Sequence, residues 1–148
     1  MENILNAHNT YRRKHQAPDL VWDASLAKGA QKWADHLAAI GKLDHDDGEF
    51  GENVYSQWSS GDVNKNEAGI KAVHKWYEEI SKYDFKNPGY KSGVGHFTQI
   101  IWKSSRKLGL GVVKCQKNGG SSVYIVARYF PAGNMLRQFE QNVLPPTF

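Results

Sequence analysis

The order of the sequence patterns predicts an α+β fold. Apolar residues recur at helical spacing in the first half of the 148-residue chain and form strand-like runs in the second half. Forty per cent of the residues are apolar and 12% are aromatic, enough for one core in a chain of this length. We therefore predict a single domain spanning residues 1–148.

Three amphipathic helices are predicted in the first half. Asp23 can cap the first turn of the second helix, and Gly41 can end it. The third pattern covers Asn66 to Ser81. The predicted inward faces are Ile4, Leu5, His8 and Tyr11, then Leu26, Ala30, Trp33, Leu37 and Ile40, then Ile70, Val73, Trp76, Tyr77 and Ile80.

Strands are predicted mainly in the second half. The runs Leu108–Lys114 and Val123–Phe130 are rich in β-branched and aromatic residues, and the turn residues 118–120 predict a hairpin loop between them. Asn53–Gln57 predicts a third strand. The segment Gly95–Trp102, which reads GHFTQIIW, fits a helix and a strand equally well.

Charge is distributed unevenly along the chain. Residues 1–84 contain 10 basic and 14 acidic residues, whereas residues 85–139 contain nine basic residues and no acidic one. The basic cluster Lys103, Arg106 and Lys107 would attract anionic lipid headgroups at about 1 kcal/mol per residue. A solvated face that keeps the protein soluble is the alternative interpretation. No nucleic-acid-binding motif accompanies the charge, so nucleic acid is not a predicted partner.

Two long motifs resemble the signatures of the CAP superfamily, which includes the pathogenesis-related, antigen 5 and cysteine-rich secretory proteins. The first is Gly95–Trp102, and the second is Tyr124–Asn134, reading YIVARYFPAGN. The triplet GEN at 51–53 and KWYEEI at 75–80 are also similar to the family pattern. The resemblance implies a three-layer α-β-α sandwich with a small antiparallel sheet between helices.

Cysteine usage and the C-terminal segment indicate the cellular location. Cys115 is the only cysteine, so no intrachain disulfide is possible, whereas small secreted domains usually contain several. Leu110 and Ala127 stand where secreted family members carry cysteines, and the segment 138–146 (QFEQNVLPP) resembles the intracellular, Golgi-associated branch. We predict an intracellular protein, in the cytoplasm or on the cytosolic face of the Golgi or another membrane. An extracellular location is the alternative if a signal peptide was removed.

The resemblance also implies that His45, Glu52, Glu79 and His96 converge on a central cavity, often with a bound divalent metal. Helical geometry indicates Glu79 independently, because it lies about 60° from Trp76 at the edge of the apolar stripe, where a carboxylate needs a partner. Without the motifs, His45 would be interpreted as an exposed loop histidine and His96 as a packed core histidine. The remaining histidines are interpreted as surface or packing residues: His8, His15, His36 and His74.

A divalent metal is the predicted cofactor, and zinc suits two imidazoles best. Catalytic zinc sites usually have three protein ligands and structural sites four, so we predict weak, exchangeable binding by His45 and His96. Glu52 and Glu79 are the candidate catalytic carboxylates, because a metal-bound water beside Glu52 would form a hydrolytic arrangement. The GxSxG, HExxH, CxxC and P-loop motifs are missing from the sequence, and enzymatic activity is left open.

We predict a protein that interacts with lipids or membranes, with anionic membrane lipids or a sterol as partner. The segment Tyr83–Tyr90, reading YDFKNPGY, resembles the corresponding stretch of sterol-binding fungal relatives. Its turn should expose Phe85 or Tyr90 beside the basic half of the chain. A metal-assisted hydrolase is one alternative, and a non-catalytic interaction scaffold, which includes a homodimer, is the other.

Overall fold

A four-stranded sheet lies between two layers of helices in the computed structural model, which describes residues 1–147. This arrangement confirms the predicted α+β class and the α-β-α sandwich. The strands are β1 (Val21–Trp22), β2 (Gly51–Ser59), β3 (Lys107–Lys117) and β4 (Gly120–Phe130). The helices are α1 (Glu2–Lys14), α2 (Ala24–Ile40), α3 (Lys65–Tyr77), α4 (Gly95–Ile101) and α5 (Phe139–Asn142), with a 3-10 turn at Glu78–Lys82.

The sheet has the order β1-β3-β4-β2. Strands β3 and β4 form the predicted antiparallel hairpin, and β2 pairs antiparallel with the other side of β4. Strand β1 runs parallel to β3. It was not predicted, because its two exposed residues are too few to show an alternation of apolar and polar side chains. The ambiguous segment 95–102 is largely helical and forms α4.

Helix α2 begins and ends where the sequence predicts. The Asp23 side chain accepts a hydrogen bond from the Leu26 amide at 2.8 Å, and Gly41 adopts a left-handed φ of 71°. The prediction that Ile40 faces the core is wrong, because this side chain is 42% exposed. The buried stripe centres on Ala30 and is narrow, and Ile40 lies about 80° from that centre at 100° per residue.

Two glycines allow α2 to lie directly on β3. A Cβ atom on Gly109 would lie 2.2 Å from the Ala27 nitrogen, and one on Gly111 would lie 2.4 Å from the Ala30 carbonyl. The side-chain amide of Gln31 bridges the same contact by pairing with the Val112 backbone nitrogen and oxygen at 3.1 and 3.2 Å. Strand β3 and α2 therefore pack through backbone atoms, with no side-chain layer at these points.

Leu110 and Ala127, the two positions that the family resemblance matches to cysteines of secreted members, are neighbours in the fold. Leu110 on β3 is in register with Ala127 on β4, and both are buried in the same core cluster. Apolar residues at both positions therefore form one packing unit. Cys115 lies further along β3 and is half-buried as a free thiol.

Arg12 is fully buried and links three parts of the chain. Its guanidinium donates to the carbonyls of Pro18, Ile100, Trp102 and Ser105 at 2.7 to 2.9 Å. Desolvation lowers the pKa of Arg12 to about 10, which leaves it charged at neutral pH. Because the acceptors lie at the end of α4 and in the loops before β1 and β3, one side chain fixes these segments relative to α1.

We expect Arg12→Lys to lower the free energy of unfolding by about 3 kcal/mol. A single ammonium group cannot reach all four carbonyls, and each buried acceptor left without a partner costs about 1–3 kcal/mol. Urea denaturation measures the change. The control is Arg13→Lys, which alters an exposed ion pair with Asp19 and should change stability by less than about 1 kcal/mol. Equal effects of both variants would contradict the linking role of Arg12.

Candidate functional site

The structure places the four predicted site residues on one open cavity of about 290 Å³. His45 comes from the loop after α2, Glu52 from β2, Glu79 from the 3-10 turn and His96 from the first turn of α4. Residues from β2, from the loop before α4, from the start of α4 and from the loop after β4 complete the lining: Asn53, Tyr90, Gly93, Gly95 and Asn134. Residues distant in sequence therefore face a common space.

His96 is held by Glu79 at the start of α4. One carboxylate oxygen of Glu79 accepts hydrogen bonds from the backbone amides of His96 and Phe97 at 2.9 and 3.1 Å. The other oxygen lies 2.8 Å from the His96 Nδ1 atom. The α3 helix changes to a 3-10 turn at Glu78, one residue before Glu79. The Trp76 ring stacks on the His96 imidazole, with centroids 6.1 Å apart.

His45 forms a second histidine–carboxylate pair with Glu52. Glu52 is nearly buried, and its Oε1 atom lies 2.9 Å from His45 Nδ1 and 3.0 Å from the Asp46 amide nitrogen. Its Oε2 atom lies 3.4 Å from Arg128 Nε, an ion contact rather than an aligned hydrogen bond. The hydrogen bond to Glu52 raises the pKa of His45 above its ordinary value.

A buried polar chain supports the inner wall of the cavity. The Asn53 amide donates to the His96 carbonyl at 3.1 Å and to the Tyr129 hydroxyl at 3.3 Å. Tyr129 in turn hydrogen-bonds His8 Nε2 at 2.7 Å, while His8 Nδ1 pairs with the Ile4 carbonyl. Sequence reasoning interpreted His8 as a packing residue and missed Tyr129. The position of Tyr129 within the second motif was the only available signal.

The cavity carries the donor types of a two-histidine metal site. In each pair Nδ1 faces a carboxylate, the arrangement that orients a metal-binding histidine and leaves its Nε2 atom available. Neither Nε2 atom has a hydrogen-bond partner among residues 1–147. The same part of the chain contains no group of three or more His, Cys, Asp or Glu side chains arranged for a metal. Water would have to complete the coordination.

The predicted lipid-contact residues lie in different environments. Tyr90 is 57% exposed and lines the cavity, whereas Phe85 is half-buried. The Phe85 ring packs against His15, Tyr83 and Phe97, so Tyr90 is the more exposed of the two residues, and membrane contact by either one stays a prediction. The basic cluster is exposed and lies beyond the end of α4 opposite to His96: Lys103, Arg106 and Lys107.

The α-β-α sandwich with paired His and Glu residues on one cavity defines the protein as a CAP domain. The sequence profile described as "CAP: Cysteine-rich secretory protein family" matches residues 5–129. The chain therefore belongs to the CAP family.

In the described residues 1–147, no helix combines the length and apolar content needed to cross a membrane.

Two curated relatives cover nearly the whole chain. It is 43% identical to Golgi-associated plant pathogenesis-related protein 1 from Homo sapiens, over 97% of this chain and 91% of that protein. It is 36% identical to Protein PRY2 from Saccharomyces cerevisiae, over 97% of this chain but only 40% of the relative. Other relatives carry the word "secreted" in their names.

Solved structures share the fold. The structure of BmVAL-1 has a TM-score of 0.80 and 28% sequence identity, covering 98% of this chain and 82% of that chain. A crystal structure described as NaASP2 with Zn2+ has a TM-score of 0.76 and 26% identity, covering 91% and 80%.

Protonation of His8 should make the protein less stable in acid. Burial lowers the pKa of His8 to about 4, so between pH 6.5 and 4 the unfolded chain binds a proton that the folded protein does not. The associated stability, about 3 kcal/mol, is present above pH 6.5 and lost as the pH falls through this range.

Urea denaturation as a function of pH measures this effect. When the wild type unfolds between pH 6.5 and 4, residue 8 should bind about one proton. His8→Gln should lower the number of protons bound on unfolding by about one. The control His36→Gln, at an exposed position, should leave it unchanged. His45 contributes to the pH dependence of stability with the opposite sign, because its pKa is raised in the folded protein. Its contribution stabilises the fold below pH 6.5 and is lost at higher pH. Unaltered uptake in His8→Gln would refute the assignment.

Proposed function

We propose that this protein binds a divalent cation, best matched by zinc, through His45 and His96. The observation that carries the proposal is the pair of imidazoles on one cavity. Each has Nδ1 against a carboxylate and Nε2 without a hydrogen-bond partner among the described residues. Glu52 and Glu79 orient the ligands in this arrangement. The description of the related NaASP2 crystal structure, which names Zn2+, supports the choice of metal.

The carboxylates support a binding role more than a hydrolytic one. Glu79 accepts three hydrogen bonds from His96 and Phe97, so both oxygens are engaged. Glu52 accepts two hydrogen bonds on one oxygen, and Arg128 faces the other. A general base needs a free lone pair within reach of the reacting proton. A bound metal would supply Lewis acidity, but the Glu52 oxygen that accepts no hydrogen bond is buried beside Arg128, away from water in the cavity.

Binding should be weak and sensitive to acid. Two protein ligands are fewer than the three or four of stable zinc sites. Glu52 also raises the pKa of His45, so protons compete with the metal at that ligand.

Isothermal titration with zinc should show one site that is lost in His45→Ala and in His96→Ala. Each variant removes one of only two imidazole ligands, so affinity should fall at least tenfold. Wild-type affinity should also decrease below about pH 6.

His36→Ala is the matched control, because His36 is exposed and packs against Trp33 outside the cavity. All proteins should carry Cys115→Ser, which prevents zinc binding by the free thiol. Unchanged affinity in both cavity variants would exclude this site.

We also propose reversible association with anionic lipid surfaces, favoured by the exposed basic cluster. Lys103 and Arg106 form no ion pair within residues 1–147, and Lys107 lies 3.7 Å from Asp23 with about half of its side chain exposed. The name of the human relative, which describes that protein as Golgi-associated, supports a location at this organelle. Anionic lipid is favoured over sterol as the partner. The expectation of sterol binding came from the segment Tyr83–Tyr90, and the Phe85 ring of this segment packs against the core.

Vesicles of phosphatidylcholine with added phosphatidylserine should bind the protein more strongly than phosphatidylcholine alone. Lys103→Glu combined with Lys107→Glu should weaken this binding about tenfold or more, because each basic residue contributes about 1 kcal/mol. About 0.5 M salt should release most of the protein. Flotation measures the bound fraction.

The exposed residues Lys28 and Lys32 of α2 provide the matched control for net charge. Lys28→Glu with Lys32→Glu makes the same change in total charge and should weaken binding much less. An equal loss in both double variants would show that only net charge matters and would remove the basic cluster from the proposal.

A further inference from the structure

We infer that the end of the sheet formed by β1, β3 and β4 contacts an anionic bilayer through an apolar ridge flanked by the basic cluster. The ridge consists of Val21 and Phe130, which share one face of the sheet with Lys107, and of Trp22, which follows Val21 and points to the other face at the same end of the sheet. We call the ridge and the basic cluster together the sheet-end surface. The inference rests on the proposed association with lipid surfaces and adds an apolar component at defined residues.

Strand register places the ridge and the cluster side by side. Val21 on β1 is opposite Lys107 on β3, and Lys107 is opposite Phe130 on β4. Adjacent strands are about 4.8 Å apart, so the three residues form a row about 10 Å wide. Arg106 joins the same row, because its carbonyl accepts from the Val21 amide and its amide donates to the Phe130 carbonyl, both at 2.9 Å.

The apolar side chains of the ridge are unusually open to solvent. Val21 is 65% exposed, Phe130 is 43% exposed and Trp22 is 38% exposed, whereas the other large apolar residues of β3 and β4 are buried or half-buried. Three exposed apolar residues at the end of one sheet favour a contact that removes them from water.

The charges around the ridge favour an anionic bilayer as the occupant. Long basic side chains can extend to lipid phosphates while neighbouring apolar groups enter the boundary between headgroups and acyl chains. The acids near the ridge include Asp19, which pairs with Arg13 at 2.5 Å, and Asp23, which caps α2 and lies 3.7 Å from Lys107 of the cluster. Both are occupied by contacts within the protein, so they oppose lipid charge less than free carboxylates would.

The sheet-end surface is rigid, which lowers the cost of binding. Arg12 binds the Pro18 carbonyl in the loop before β1 and the Ser105 carbonyl in the loop before β3. Asn9 also holds β1 from the same side, since its side chain pairs with the Leu20 amide and carbonyl at 2.7 and 3.2 Å. Little conformational entropy is therefore lost when the surface meets a membrane.

A fluorescent label reports contact at the ridge. In a Cys115→Ser background, Val21→Cys carries an environment-sensitive dye, and Leu43→Cys is the control. Leu43 is 42% exposed, but it lies near the opposite end of β3, where the Gly41 carbonyl contacts Lys117. Lys107 and Lys117 are about 33 Å apart along the strand. Vesicles containing phosphatidylserine should shift the emission of the Val21 label to the blue and leave the Leu43 label unchanged.

Removal of the ridge should weaken binding in unlabelled protein. Val21→Ser with Phe130→Ser should reduce affinity for phosphatidylserine vesicles about tenfold, because two apolar side chains no longer enter the interface. Val21→Ser alone should give part of the effect and, at such an exposed position, should leave the melting temperature unchanged. Leu43→Ser should bind like the wild type.

The outcomes separate the inference from the function on which it rests. A wild type that does not bind phosphatidylserine vesicles overturns both. A second outcome overturns the apolar ridge alone. In that outcome, wild-type binding depends on Lys103 and Lys107, but the emission of the Val21 label does not change and the ridge variants bind as strongly as the wild type. A blue shift that depends on protein concentration without vesicles would assign the ridge to a second copy of the chain and would also overturn the inference.

Discussion

The short helix α4 depends on two charged side chains supplied by other elements. A helix of seven residues is not stable alone, and α4 also carries His96. Glu79 binds the amides at its N-terminus, and Arg12 binds the Ile100 and Trp102 carbonyls at its C-terminus. A carboxylate and a guanidinium at these ends also match the helix dipole. The position of His96 therefore follows from contacts made by α1 and the 3-10 turn.

The two histidine–carboxylate pairs have the same polar contact in different surroundings. The His45 side chain is 61% exposed in its loop, while its partner Glu52 is nearly buried beside Arg128. His96 is more enclosed, lying under the Trp76 ring with its backbone carbonyl bound by Asn53. One imidazole is thus enclosed and the other is exposed. At the proposed cation site, this combination would allow a cation to enter and leave without rearrangement of the core.

Much of the fold was predictable, because local rules determine it. The Asp23 cap, the Gly41 terminus and the β3–β4 hairpin all follow from residue types at fixed spacing. Strand β1 escaped prediction because its pairing depends on the distant β3.

The residues of the candidate site also divide into those that local sequence patterns could predict and those that they could not. Glu79 was detectable as a carboxylate at the border of an apolar stripe, whereas the resemblance to a family was needed for His45. The contact of Tyr129 with His8 and Asn53 could not be predicted from pattern, since it joins residues more than 70 positions apart. Its complete burial in one core cluster is a property of the assembled fold.

The backbone contact of α2 with Gly109 and Gly111 has a consequence for how the domain can vary. Elsewhere in the core, a larger or smaller side chain can adjust the spacing between layers. Here the spacing is a property of the main chain, and even a methyl group would act as a wedge between helix and sheet. Changes of shape must therefore arise in the opposite helix layer and the loops, which include His96 and the rim of the cavity.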